Sequence, residues 1–313
     1  MNVNRRNFLA ASAVTAVTPG IVSASVPAET HQSKSTFRYC LNTSTIREQT
    51  DDIKQQIEIA AVAGYNGIEP WMRHLTKYTE TGGSLADLRK MIGDAGLTVD
   101  SAIGFANWIV DDVEGRKKGL EEAKRDMDVL AQIGGTRIAA PPVGAHGGNA
   151  AKLDPFVMAE RYRALLEVGD ETGVVPQLEV WGFSTNLSRL GESVMVCVEA
   201  SHPKACLLPD VYHIFKGGSD FGGLELLHDN AIQVFHLNDY PAEPDRTEMN
   251  DSHRVYPGDG VAPLTDILNM IGGRQRSVTL SLELFNKEYW KQDALYVAKT
   301  GLAKMKAAVA KAG

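Results

Sequence analysis

Five stretches of the chain put six ionisable residues at or near the ends of short apolar runs. They are Glu69 in "GIEPW", Glu179 in "VVPQLEVWG", Asp210 in "LLPDVYH", His236 and Asp239 in "VFHLND", and Glu283 in "LSLELF". An apolar run bracketed by glycines, as around Glu179, reads as a buried strand, and a carboxylate buried without a partner costs several kcal/mol. Something positive must therefore stand beside it. If the runs are neighbouring strands, Glu179, Asp210, His236 and Glu283 converge as three carboxylates and an imidazole, which repel one another unless a cation sits between them. One divalent metal ion answers that need. A set of oxygens with one nitrogen and no sulfur suits Mn²⁺, Co²⁺, Mg²⁺ or a catalytic Zn²⁺.

The elements that must position these residues alternate regularly. From residue 37 onward, short β-branched runs such as "FRYCLNT", "TRIAAPP" and "IQVFHLND" are each followed by a longer amphipathic stretch. The stretch "DDIKQQIEIAAVAG" shows the helix punctuation, with Asp51 as cap and Gly64 as stop. Eight such strand and helix pairs predict parallel strands with crossover helices, closed into an α/β (β/α)8 TIM barrel over residues 36–313. A doubly wound open sheet is the alternative, but "LNTSTIRE" after the first strand has no glycine-rich phosphate loop. In a barrel the chemistry collects at the carboxyl ends of the strands, where all these residues lie.

Residues 1–35 differ in kind. Arg5 and Arg6 precede a short, mildly apolar run, and "VSA" ending at Ala24 is a small-residue cleavage site. The "RRNFL" core resembles a twin-arginine signal, which implies a twin-arginine translocase as export partner and a periplasmic location for the cleaved protein. No later segment has the length of a membrane helix. The net charge of -7 offers no basic field for nucleic acid. Cys40, Cys197 and Cys206 lack metal-knuckle spacing and are odd in number, so buried thiols are expected and neither a zinc knuckle nor a disulfide framework is indicated. A homo-oligomeric assembly is left open.

Together, "LEVWG", "DVYH", "FHLND", "RVYPGDG" and "LSLELF", in this order, resemble the xylose isomerase-like barrels of the sugar phosphate isomerase and epimerase group. The resemblance implies that the four strand-end residues hold one metal and that Glu179 and Glu283 also serve as acid and base. It further implies that His213 and Arg254 contact substrate oxygens. Two departures stand out: Thr185 occupies a position where ketose 3-epimerases of this group carry another glutamate, and the loop "YPAEPDRTEMNDSH" is long. Other candidates come from the residues themselves. Glu69 is placed for a substrate or supporting contact, Trp108 and Trp181 for covering the apolar face of a sugar ring, Phe105 for the core, and Asp239 for orienting a ligand or binding Arg254.

The expected function is a metal-dependent isomerase or epimerase acting on a small carbohydrate or oxo-sugar through an enediolate. Because the same enediolate can expel a β-substituent, a lyase or dehydratase of 3-oxo-glycosides or inososes is the alternative, and the export signal favours it. An endonuclease IV-like repair enzyme shares "HLND", but the acidic charge and the missing histidine in "IGFANW" oppose it. A non-catalytic sugar-binding barrel keeps the fold without the chemistry.

Overall fold

A computed structural model describes residues 37–272 and 277–313 of the chain. Arg5, Arg6 and the cleavage site near Ala24 lie outside the described residues. The elements run β1 (Arg38–Asn42), α1 (Ile53–Ala63), β2 (Gly67–Glu69), α2 (Met72–Glu80), α3 (Leu85–Asp94), β3 (Thr98–Val99), α4 (Val113–Gln132) and β4 (Arg137–Ala140). They continue with α5 (Pro155–Thr172), β5 (Val175–Glu179), α6 (Leu190–Glu199), β6 (Leu207–Leu208), α7 (Val211–Lys216), β7 (Val234–Leu237), α8 (Leu264–Gly272), β8 (Thr279–Leu282) and α9 (Ala294–Ala312).

All the paired strands are parallel. One sheet has the order β3-β2-β1-β8-β7 and the other β4-β5-β6. Single bridges join β6 to β7, Leu207 with Ile232 and Asp210 with His236, and the Ala139 amide donates to Ala102 O at 2.8 Å across the other gap. The ring is therefore closed, as the alternation predicts. Register puts Asn42 opposite Glu69 and His236 opposite Ser281, so polar side chains from four strands meet at one level inside the barrel.

Helix ends follow local chemistry. Asp52, Asp112, Asp154 and Asp293 each accept a backbone N–H as N-cap residues, and Gly64 and Gly173 end α1 and α5 in the left-handed region. The α1 cap is Asp52, not the expected Asp51, which pairs with Lys77 instead. Two further differences from expectation concern helices. The segment after "GIEPW" carries an extra helix, α2, and "FGGLELLHDN" forms only a 3-10 turn, Phe221–Leu226, while α7 starts directly behind Asp210. Capping decides the second case, because Asp210 accepts the His213 N–H and nucleates the turn on the spot.

The apolar core packs the strands against the helices, with Leu41, Ile68, Leu178, Phe235 and Leu280 wholly buried. Cys40 and Cys206 are buried free thiols and Cys197 is partly covered, in keeping with the expected absence of a disulfide framework. No helix among the described residues is long and apolar enough to cross a membrane.

Candidate active site

The strand ends deliver the acidic residues to one place. Glu69 and Glu179 are the last residues of β2 and β5, Glu283 follows β8 directly, and His236 lies within β7. One ligand atom each from Glu179, His236 and Glu283 lies within 4.8 Å of the others, and all three residues are buried. Glu179 and Glu283 line the floor of a cavity of about 410 Å³, together with His213, Arg254 and Trp181, while His236 lies buried behind them.

The floor is held from behind. His236 Nε2 lies 3.1 Å from Glu69 Oε2, and the same oxygen accepts from Ser281 Oγ at 2.6 Å and Asn42 Nδ2 at 2.9 Å. Glu69 is fully buried and does not line the cavity, so its expected substrate contact is corrected to a supporting one. With Nε2–H donated to Glu69, His236 turns Nδ1 toward the acidic cluster. That atom lies 3.1 Å from Glu283 Oε2 and 3.8 Å from Asp210 Oδ2, yet makes no directed hydrogen bond. Glu179 Oε2 is likewise buried without a partner.

Electrostatics pull the two glutamates apart. Burial and then the charge of Glu283 push the Glu179 carboxyl up to about 8. Burial also opposes ionisation of Glu283, but His236 and Arg254 outweigh it and hold this carboxyl well below the usual range. For His236, burial is overcome by Glu283 and Glu69, which raise its proton affinity well above normal. His213 moves the other way, lowered by burial and by Arg254.

Asp210 departs from the expected four-residue set. Its Oδ1 caps α7, while Oδ2 accepts from Asn238 Nδ2 at 2.8 Å and Arg254 Nη1 at 3.0 Å. Arg254 also reaches Glu283 Oε2 at 2.8 Å and His213 Nε2 at 2.9 Å, and is itself buried against Tyr212 and Phe285. Asp210 thus borders the three-residue cluster and spends its free oxygen on a guanidinium. The arginine serves as the local counter-charge.

An ion fits this donor set. Glu179 Oε2 and His236 Nδ1 are buried without a directed hydrogen bond beside Glu283, and a cation that displaced the protons these groups otherwise hold would take all three as ligands. Carboxylate support behind a ligating histidine is the arrangement that fixes its tautomer. Replacing Glu69 with Gln is therefore expected to weaken divalent-metal affinity about 10- to 100-fold. Competition against a chelating dye measures it, and unchanged affinity would remove Glu69 from that role.

Other expectations meet their positions. Trp108 is buried away from the cavity, donates its indole N–H to Pro141 O at 2.8 Å and packs on Tyr162, so its assignment to a sugar face is corrected to a core role. Phe105, expected in the core, lines the cavity between Trp71 and Trp181. Asp239 does not bind Arg254. Its carboxylate accepts the backbone N–H groups of Tyr240, Gly258, Gly260 and Ala262, and so ties down the turn that follows Arg254. Residues Asn250, Asp251 and Ser252 of the long loop after β7 border the cavity. Gly182 is required by a close approach, since a Cβ there would meet His213 O at 2.3 Å, and its own N–H points at His213 Nδ1.

Sequence reasoning missed Asn42, Asn238 and Ser281. Asn42 donates to both Glu69 and Glu283, so one amide spans two acids. Its signal was its place at the carboxyl end of the first strand.

Known proteins bear on this geometry. An inosose isomerase of Bacillus velezensis is 26% identical over 88% of this chain and 98% of its own length. A 3-dehydro-D-guloside 4-epimerase of Escherichia coli is 26% identical over 56% of this chain and 68% of its own. A 3-dehydroshikimate dehydratase of Pseudomonas aeruginosa is 24% identical over 75% of this chain but 36% of its own. Among solved structures, the IolI protein with a bound zinc atom superposes with a TM-score of 0.81 at 22% identity, covering 88% of this chain and 99% of that one. The family model of the xylose isomerase-like TIM barrel matches residues 57–308, and the chain belongs to that family.

Proposed function

We propose that this protein is a divalent-metal-dependent isomerase or epimerase of a carbohydrate carbonyl compound, with Glu179 and Glu283 as its proton-transfer groups. The carrying observation is the buried cluster of Glu179, His236 and Glu283, whose two glutamates line the floor of a cavity large enough for a sugar. Relatives named as an inosose isomerase and a 3-dehydro-D-guloside 4-epimerase support that class.

A divalent ion held by Glu179, His236 and Glu283, with Asp210 beside them, would supply positive charge to a carbonyl and its neighbouring hydroxyl and ease loss of the proton between them. The chain's own residues do the rest. One glutamate takes that proton and the other returns one; return to the opposite face of the same carbon gives an epimer, and return to the adjacent carbon an isomer. His213 and Arg254, at the cavity wall, orient substrate oxygens. Trp181 covers a ring face, and its neighbours exclude water.

Elimination is the second reading, favoured by the relative named as a 3-dehydroshikimate dehydratase. It begins with the same proton removal. Turnover of a panel of ketoses, inososes and 3-oxo-glycosides in D₂O separates the two. Isomerisation or epimerisation is expected to place deuterium on the carbon beside the carbonyl with no fragment lost, whereas release of water or an aglycone would make the enzyme a lyase. Neither outcome across the panel, with metal bound, would leave a binding protein.

Export is a separate proposal, carried by residues 1–35. Changing Arg5 and Arg6 together to Lys is expected to hold the protein in the cytoplasm, because the ammonium does not reproduce the paired guanidinium. Undiminished periplasmic protein on fractionation would defeat it.

A further inference from the structure

The acidic floor occupies only part of the cavity. Above it the wall is a chain of aromatic rings, with Trp71 at 5.0 Å from Phe105, Phe105 at 6.4 Å from Trp181, and Trp181 at 5.2 Å from Phe183. The Trp71 indole N–H is directed elsewhere, to Asn42 Oδ1 at 3.1 Å, and the Trp181 indole lies beside the Glu179 carboxyl. Phe105 and Phe183 carry no donor, so what the outer wall offers a ligand is chiefly ring faces.

Phe183, the outermost ring, is 45% exposed. Its loop is nevertheless anchored. Trp181 N donates to Leu187 O, Ser184 N to Trp181 O, and Asn186 Nδ2 to Ala145 O and Ala151 O. An anchored loop that holds an apolar ring at a cavity mouth, continuous with three more rings inside, makes an apolar patch that calls for an occupant. Size agrees with this. About 410 Å³ lies in the range of cavities that enclose drug-sized molecules, more than one sugar ring fills. A single pyranose over the glutamates would use one ring face and leave the outer rings wet.

We propose that the Phe105, Trp181 and Phe183 wall is a subsite for a second flat group joined to the sugar, so that the substrate is a glycoside carrying an aryl ring or another pyranose, not a free monosaccharide. This rests on the carbohydrate reading above and narrows it. The reacting sugar lies at the Glu179 and Glu283 end, and the second group extends toward the mouth along the rings.

The test titrates metal-loaded, full-length protein with phenyl β-glucoside, cellobiose, methyl β-glucoside and glucose, read by calorimetry. Phenyl glucoside or cellobiose is expected to bind about tenfold tighter than methyl glucoside, the scale of one or two well-placed aromatic contacts. Phe183→Ala and Phe105→Ala should remove most of that preference while affinity for methyl glucoside holds within about twofold, well below the tenfold scale of the preference. Phe183 is exposed enough that its removal does not threaten the fold. Preference for phenyl glucoside alone identifies an aryl group, and preference for cellobiose alone a second sugar. Equal affinity for all four, or a uniform loss in Phe183→Ala, overturns the subsite while leaving the carbohydrate reading intact. Binding of none of the four overturns the subsite, and the carbohydrate reading is then decided separately by turnover of the oxo-sugar panel.

Discussion

Changing Glu283 to Gln is expected to lower turnover at least about a hundredfold, the usual scale for losing a positioned acid or base. The amide keeps the shape but removes the negative charge that His236 and Arg254 face. Glu179→Gln should fall by a similar factor, and the two losses should not add in the double variant, because residues that act as a unit fail together. Each rate must be set beside the metal content of the same sample. Full activity in either variant with metal retained would remove that residue from proton transfer.

His236→Ala is expected to lose metal more severely than Glu69→Gln, by more than the ~10–100-fold that loss of a supporting partner costs. His236 contributes the only nitrogen of the cluster and spans Glu69 and the acidic floor. The barrel should remain folded, since its stability resides in strand and helix packing. Elemental analysis with far-UV circular dichroism reads both halves of the expectation. Unchanged metal in a folded variant would exclude His236 as a ligand.

Much of this site was legible because strand ends in a parallel barrel share one face, so Glu179, His236 and Glu283 could be grouped without knowing any contact. The errors have physical causes. Glu69 is correct as to its strand but wrong as to depth, because alternation along a strand shows which side a residue faces and not how far from the mouth it lies. Trp108 lies between β3 and α4, where no periodicity shows which residues turn into the core. Phe105 fails the same way in reverse. Asp239 reads from sequence as a partner of its neighbour His236 or of Arg254, while the Tyr240 amide and three backbone amides from a loop about twenty residues later claim its carboxylate. Helix α2 escaped notice because "MRHLTKYTE" is polar, and its N-cap residue, Trp71, makes no side-chain cap. The contest between Arg254 and an ion for Asp210 is a matter of three-dimensional charge balance that no spacing encodes.

The pairing of β1 with β8 sets Arg38 beside Thr279 and Leu41 beside Leu282, so the first strand, already paired with β2 on one side, finds its second neighbour only near the far end of the chain. Strands β4, β5 and β6, by contrast, come from one continuous stretch and can associate as soon as it exists. During synthesis β1 must therefore wait, one edge uncovered, until β8 leaves the ribosome. Contacts of such long sequence separation slow folding, and an unpaired parallel edge is a site for aggregation in the interval. The gap between translation of residue 42 and residue 282 is thus the period in which this chain has most need of a chaperone.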